Sequence, residues 1–149
     1  MPLQRGNVTV KVGSAGNRRL KKTLAGKLDI REGFRVAVVN PPEQYAQVLG
    51  RLPLGVVIVK QVERPLDLVH FFTKSRVELE KNFPKFKKRL GSDGVFWVSW
   101  PKVSSKVDSD LNETVVREVG LRNGLVDVKV ISIDEVWSGL KFVLRLKDR

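Results

Sequence analysis

The sequence predicts an α/β domain: a mainly parallel sheet flanked by helices and closed by a C-terminal antiparallel hairpin. Three observations carry the prediction. Short, nearly continuous apolar runs alternate with stretches of helical spacing, the pattern of strands covered on both faces. The last two strand-like runs are too close together for a crossover and read as a hairpin. A chain of 149 residues, 42% apolar and 30% charged, suits a single core.

Residues 1–22 read as a basic N-terminal extension, in which NVTVKV fits an edge strand and Gly13 to Lys22 a flexible arm, ahead of one domain over 23–149. A helix opens the domain. FRVAVV, Phe34 to Val39, is then a strand buried on both faces, preceded by Gly33 and ended by Asn-Pro-Pro. PEQYAQVLGRL places Tyr45, Val48 and Leu49 on one side of a helix, and GVVIVK and DLVHFF give two further buried strands. From Ser75 to Leu90 the period is helical: at about 100° per residue, Leu79, Phe83, Phe86 and Leu90 share roughly a 60° arc opposite the lysines. Pro84 must kink this helix or open a second one capped by Asn82. GSDG turns the chain into the strand VFWVSW. Asp110 and Glu113 then resemble a capping box for a helix that Gly124 stops. VDVKVISID and LKFVLRLK form the hairpin, with EVWSG as its turn.

Composition removes several chemistries. With no Cys, the chain has no disulfide, thiolate zinc site or cysteine nucleophile, and one His cannot build a multi-histidine metal site. No apolar run spans a membrane, and the N-terminus lacks a secretory h-region, so no membrane partner and a cytoplasmic location are expected. Charge is the outlier at +12. Residues 1–35 carry net +7 and residues 71–105 net +5, whereas 36–70 and 106–149 balance to zero. Nucleic acid or another polyanion is the partner such a distribution attracts.

Particular residues carry a resemblance. RLGSDGVFWVSW, where a helix ends in leucine and turns through glycines into a strand, and the hairpin VDVKVISIDEVWSGLKFVLRL resemble a trimmed class I methyltransferase domain of Rossmann-like architecture. GFRVAVVNPPEQY, DLVHFF, WVSWPK, GLVDVKV and DEVWSGLKFV are similar, over residues 23–146, to a bacterial family of domains of unknown function. That second likeness brings no activity with it. The first implies a cofactor loop: in methyltransferases the first strand runs into a glycine-rich turn, and a carboxylate ends the second strand to hold ribose hydroxyls. Here the turn is Asn40-Pro41-Pro42-Glu43, and the second strand ends in Val59-Lys60-Gln61 with Glu63 nearest. The expectation is loss of the usual S-adenosylmethionine site and no cofactor.

Asn-Pro-Pro also invites comparison with the N-P-P-[YF] motif of amino-methyltransferases. That motif follows the fourth strand and ends in an aromatic ring; here it follows the first and ends in Glu43. A local role suffices, with Asn40 capping the next helix and proline in its first turn. If the strands are parallel, their C-terminal rim collects Asn40, Glu43, Thr73 to Ser75, Trp100, Lys102, Ser104, Ser105, Asp134, Glu135, Trp137 and Ser138. Lys102 and the two serines would face an anion near the helix starting at Asp110, and Trp100 and Trp137 would pack or stack. Trp97, on the face opposite Trp100, belongs to the core, as does His70, alone in an apolar strand.

The polyanion candidates are Arg18, Arg19, Lys21, Lys22 and Lys27 in the arm, and Lys74, Lys81, Lys85, Lys88 and Arg89 on the helix face. No nucleic-acid fold motif accompanies them. The reading is a binding or regulatory module without catalysis, whose partner is a polyanion or another protein. Two competitors stand beside it. One is an enzyme acting on an anionic small molecule at the rim, with Lys102 holding charge and Asp134 or Glu135 moving protons; the other is a divergent S-adenosylmethionine-dependent methyltransferase.

Overall fold

The structure, a computed structural model, describes residues 23–60 and 65–149. Arg18, Arg19, Lys21, Lys22 and Glu63 lie outside the described residues. In chain order the elements are α1 Leu24–Lys27, β1 Arg35–Val39, α2 Tyr45–Leu49, β2 Val57–Val59, β3 Leu66–Phe72, α3 Arg76–Lys87, β4 Leu90–Pro101, α4 Glu113–Arg122, β5 Leu125–Ser132 and β6 Trp137–Leu144.

The strands pair in the order β2-β1-β3-β4-β6-β5. β2, β1, β3 and β4 are mutually parallel. β6 runs antiparallel to both β4 and β5, so it is the one reversed strand among the described residues. The expected α/β sheet with its terminal hairpin is therefore present. Helices cover both faces. Leu79, Phe83 and Phe86 of α3 and Val116 and Val119 of α4 pack with Val69, Phe71, Phe96 and Phe142 on one side. Leu24 and Leu28, with Tyr45 and Leu49 of α2, pack with Leu68, Phe72 and Trp97 on the other.

Local detail departs from the sequence reading where tertiary contacts compete with local rules. GVVIVK is an edge strand, not a buried one: Val57 and Ile58 are 48% and 43% exposed, because no described strand lies outside β2. GSDG belongs to β4 itself, with Leu90 already paired to Leu66 across a register shift. The hairpin turn falls at 133–136, so Trp137 to Gly139 of the expected turn are strand residues.

α3 stays one helix through Pro84, and its cap is Ser75, whose Oγ accepts from the Glu78 N–H. Asn82 caps nothing; its amide donates to the Glu78 carbonyl one turn back. Proline inside a helix costs about 3 kcal/mol. Phe83 and Phe86, buried on either side of it, each return roughly 1.5–3 kcal/mol, so continuing the helix wins. Asp110 also has another role: α4 is capped by Asn112, and Asp110 instead accepts from the N–H of Arg76 at 2.8 Å, securing the start of α3. Gly124 ends α4 as expected, at φ +85°.

Candidate functional site

The chain leaves β1 toward one edge of the sheet through α2 on one face, and leaves β3 toward the other edge through α3 on the opposite face. Between the C-terminal ends of β1 and β3 no connection crosses among the described residues, and a crevice opens where α/β folds bind ligands. A cleft of about 460 Å³ lies there, lined by Asn40, Pro41, Pro42, Phe72, Thr73, Lys74, Ser75, Glu78 and Trp137. Its volume is in the range of small-molecule sites, about 300–1,000 Å³.

Each wall has a local cause. Asn40 has φ +58°, the left-handed conformation that Asn tolerates better than other side-chain-bearing residues. It therefore lies outside α2, and the capping role expected for it is overturned: the N-cap position is Gln44, with no side-chain bond, and Pro41 and Pro42 precede the helix rather than open it. The Asn40 amide makes no hydrogen bond with a described residue and is exposed. Opposite, the start of α3 forms a closed polar knot. The Thr73 hydroxyl donates to the Glu78 carboxylate and accepts from the Ser75 N–H, while Ser75 caps the helix. Trp137 meets Phe72 edge-on at 5.1 Å, and Phe72 stacks on His70 at 4.2 Å.

Below that aromatic floor is a buried polar chain. The Tyr45 hydroxyl lies 2.8 Å from His70 Nδ1, and His70 Nε2 lies 2.7 Å from Ser99 Oγ. His70 has no exposed surface, and burial lowers its pKa to about 3, so it is neutral at physiological pH. Burial also pushes the Tyr45 phenol upward. Both ring nitrogens are partnered and sealed from the cleft, which makes His70 a core residue.

Of the rim residues read from the sequence, Asn40, Thr73, Lys74, Ser75 and Trp137 come together at the cleft. The others do not line it. Lys102 Nζ donates to Ser132 Oγ at 2.7 Å and to the Asp134 carbonyl at 2.6 Å. Asp134 accepts from the N–H groups of Val136 and Trp137, both at 2.8 Å, fixing the hairpin turn. Ser105 bonds the Lys102 carbonyl, and Ser104, Glu43 and Glu135 are exposed. Trp100 packs in the core with Leu111 and Val116. The sequence reading missed Phe72 and Glu78 as lining residues. Ser75 followed three residues later by Glu78 is a helix-start signature that would have pointed to Glu78.

Lys74, Lys81, Lys85, Lys88 and Arg89 are all exposed, as is Lys27. The first four make no ion pair with a described residue, unlike Arg76 and Arg122, which share Glu80.

No family model and no curated protein matches the chain. Solved structures do. A TehB-like SAM-dependent methyltransferase from Corynebacterium glutamicum is 14% identical with a TM-score of 0.54, over 83% of this chain and 88% of that one. A precorrin-6y C5,15-methyltransferase from Geobacter metallireducens is 12% identical with a TM-score of 0.51, over 82% and 86%. A magnesium protoporphyrin IX methyltransferase from Synechocystis, with bound SAH, is 11% identical with a TM-score of 0.52, over 82% and 78%. The fold of this chain is methyltransferase-like.

Proposed function

We propose that the chain is a binding module that keeps a methyltransferase-like scaffold and holds a ligand in the switch-point cleft, without catalysis and without the scaffold's usual S-adenosylmethionine loop. One observation carries the reading: the cleft is walled by Asn40-Pro41-Pro42, directly after β1. Two prolines take away two N–H donors and add ring atoms at the turn where a bare backbone would approach the cofactor. The polar groups of the opposite wall are spent on structure. Thr73 and Ser75 hold the start of α3, and the one histidine, His70, is buried within β3 with both ring nitrogens bonded. What stays available is Lys74 and the exposed Asn40 amide, above Phe72 and Trp137 rings that are almost wholly buried, a set that favours an anionic ligand without acting on it.

A second reading, a divergent methyltransferase, is supported by the cleft's position at the switch point and by the left-handed Asn40, which turns the chain as glycine would. Calorimetric titration of the full chain with S-adenosylmethionine separates the two. The module reading expects no saturable heat with the protein at about 100 μM, about tenfold above a 10 μM Kd. A stoichiometric micromolar site would overturn it in favour of the methyltransferase.

A further inference from the structure

We propose that the outer face of α3 and the cleft at its start form one continuous track for a single-stranded polynucleotide, with phosphates along Lys88, Lys85, Lys81 and Lys74 and an unpaired base turned into the cleft. The inference rests on the binding-module reading of that cleft and names its partner.

The geometry comes from the helix. Lys81, Lys85 and Lys88 fall within roughly a 60° arc at about 100° per residue and, with a rise of about 1.5 Å per residue, extend for roughly 10 Å along α3, while Lys74 lies just before its N-cap Ser75. Four cations in succession suit a site of about four nucleotides. All four lysines are exposed and make no ion pair with a described residue, and Lys85 Nζ additionally lies 5.7 Å over the Phe86 ring, so their charge faces solvent. Lys87, in the same run, is withheld: its Nζ donates to the Asn123 carbonyl. Val77, 72% exposed, and Pro84 border the stripe and offer apolar surface to sugars and bases.

The stripe ends where the cleft begins. Lys74 lines the cleft, and so do the unbonded, exposed Asn40 amide and the Pro41 and Pro42 rings. A free amide next to two proline rings offers hydrogen bonds to a base edge and apolar contact to its face. A duplex cannot use it, because its bases are stacked and paired.

The test uses fluorescence anisotropy with the full chain and a 5′-labelled 12-nucleotide RNA, the DNA strand of the same sequence, and the RNA duplex, between 50 and 300 mM KCl. Four phosphate contacts on a single strand predict a slope of about −3 for log K against log salt. The triple variant Lys81→Glu, Lys85→Glu, Lys88→Glu should lose at least tenfold in affinity at 100 mM salt with its melting temperature retained. Asn40→Gly keeps the left-handed backbone and removes the amide; it should weaken binding severalfold and leave the salt slope unchanged. Binding of either single strand above the duplex supports the track, and the stronger of the two identifies the sugar. Affinity within twofold of the parent in the triple variant, or equal binding of duplex and single strands, overturns it. Those results leave the module reading standing, whereas a stoichiometric S-adenosylmethionine site would remove that reading and not touch the lysine stripe.

Discussion

His70 sits in the middle of β3 with no exposed surface, and its neighbours decide its charge. In the unfolded chain its pKa is near 6.5; in the fold burial holds it at about 3. Between those values the unfolded state binds the extra proton, so stability falls as pH drops below about 6.5, by up to about 1.4 kcal/mol per pH unit. Denaturant unfolding of the parent and His70→Gln, compared from pH 7.5 to 4.5, should show a stability difference that favours the parent at neutral pH and narrows steadily in acid. A difference independent of pH would mean that folding leaves the proton affinity of the ring unchanged. Tyr45→Phe and Ser99→Ala each remove one partner of a ring nitrogen. Leaving that nitrogen unpaired should cost about 1–3 kcal/mol. The buried, paired state of this residue was legible from its place in an apolar strand. Its two partners were not, because they lie 25 and 29 residues away in sequence, Ser99 meeting it through strand order and Tyr45 through the packing of α2 on the sheet.

At the scale of elements, α4 shows how closely a helix is fitted to the sheet. A methyl group at Gly120 would lie 2.0–2.7 Å from the Phe142 ring of β6, far inside contact distance. Gly120→Ala gains helix propensity, by up to about 1 kcal/mol, but overpacks a ring that cannot retreat through its own core, typically at about 1–3 kcal/mol. The packing loss should dominate, lowering the melting temperature, and pairing it with Phe142→Leu should recover part of the loss. A stabilised Gly120→Ala would show that α4 rides higher on the sheet than described. The helices themselves were legible because amphipathic period survives folding: Leu79, Phe83 and Phe86 point inward as their spacing dictates. Their ends were not. Asp110 carries the signature of a cap for the helix that follows it and instead serves the helix 34 residues before it. Asn40 has a capping side chain but a left-handed backbone. β2 and β3 are both apolar runs, and only strand order tells which of them is the edge.

At the scale of the molecule, the described helices cover the two faces of the sheet unequally. One carries α3 and α4, of 12 and 10 residues; the other carries α1 and α2, of 4 and 5. The rim position of the cleft followed from parallel strands, and so was open to sequence reasoning. Its walls depended on which rim residues the hairpin turn consumed, Lys102 and Asp134 among them. The thinner face relies on discrete ties instead of long helices. Trp97 Nε1 donates to the Leu28 carbonyl at 2.9 Å, closing the end of α1 onto β4. Beside it Asp29 bridges Lys141 of β6 and Lys129 of β5 at 2.8 and 3.0 Å. Burial opposes ionisation of Asp29, yet the hydrogen bonds and charge of the two lysines outweigh it and hold the carboxyl below its usual range. Short helices gain little from propensity, so this face should open before the other. Trp97→Phe keeps most of the ring's apolar packing and removes the donor. Native-state hydrogen exchange should then show amides at 25–30 losing protection, by about tenfold for each 1.4 kcal/mol of the lost bond, while the amides of α3 and β3 keep theirs. Equal loss on both faces would show that the sheet and its coverings open as one unit, and that the Trp97 bond secures the whole fold rather than one side of it.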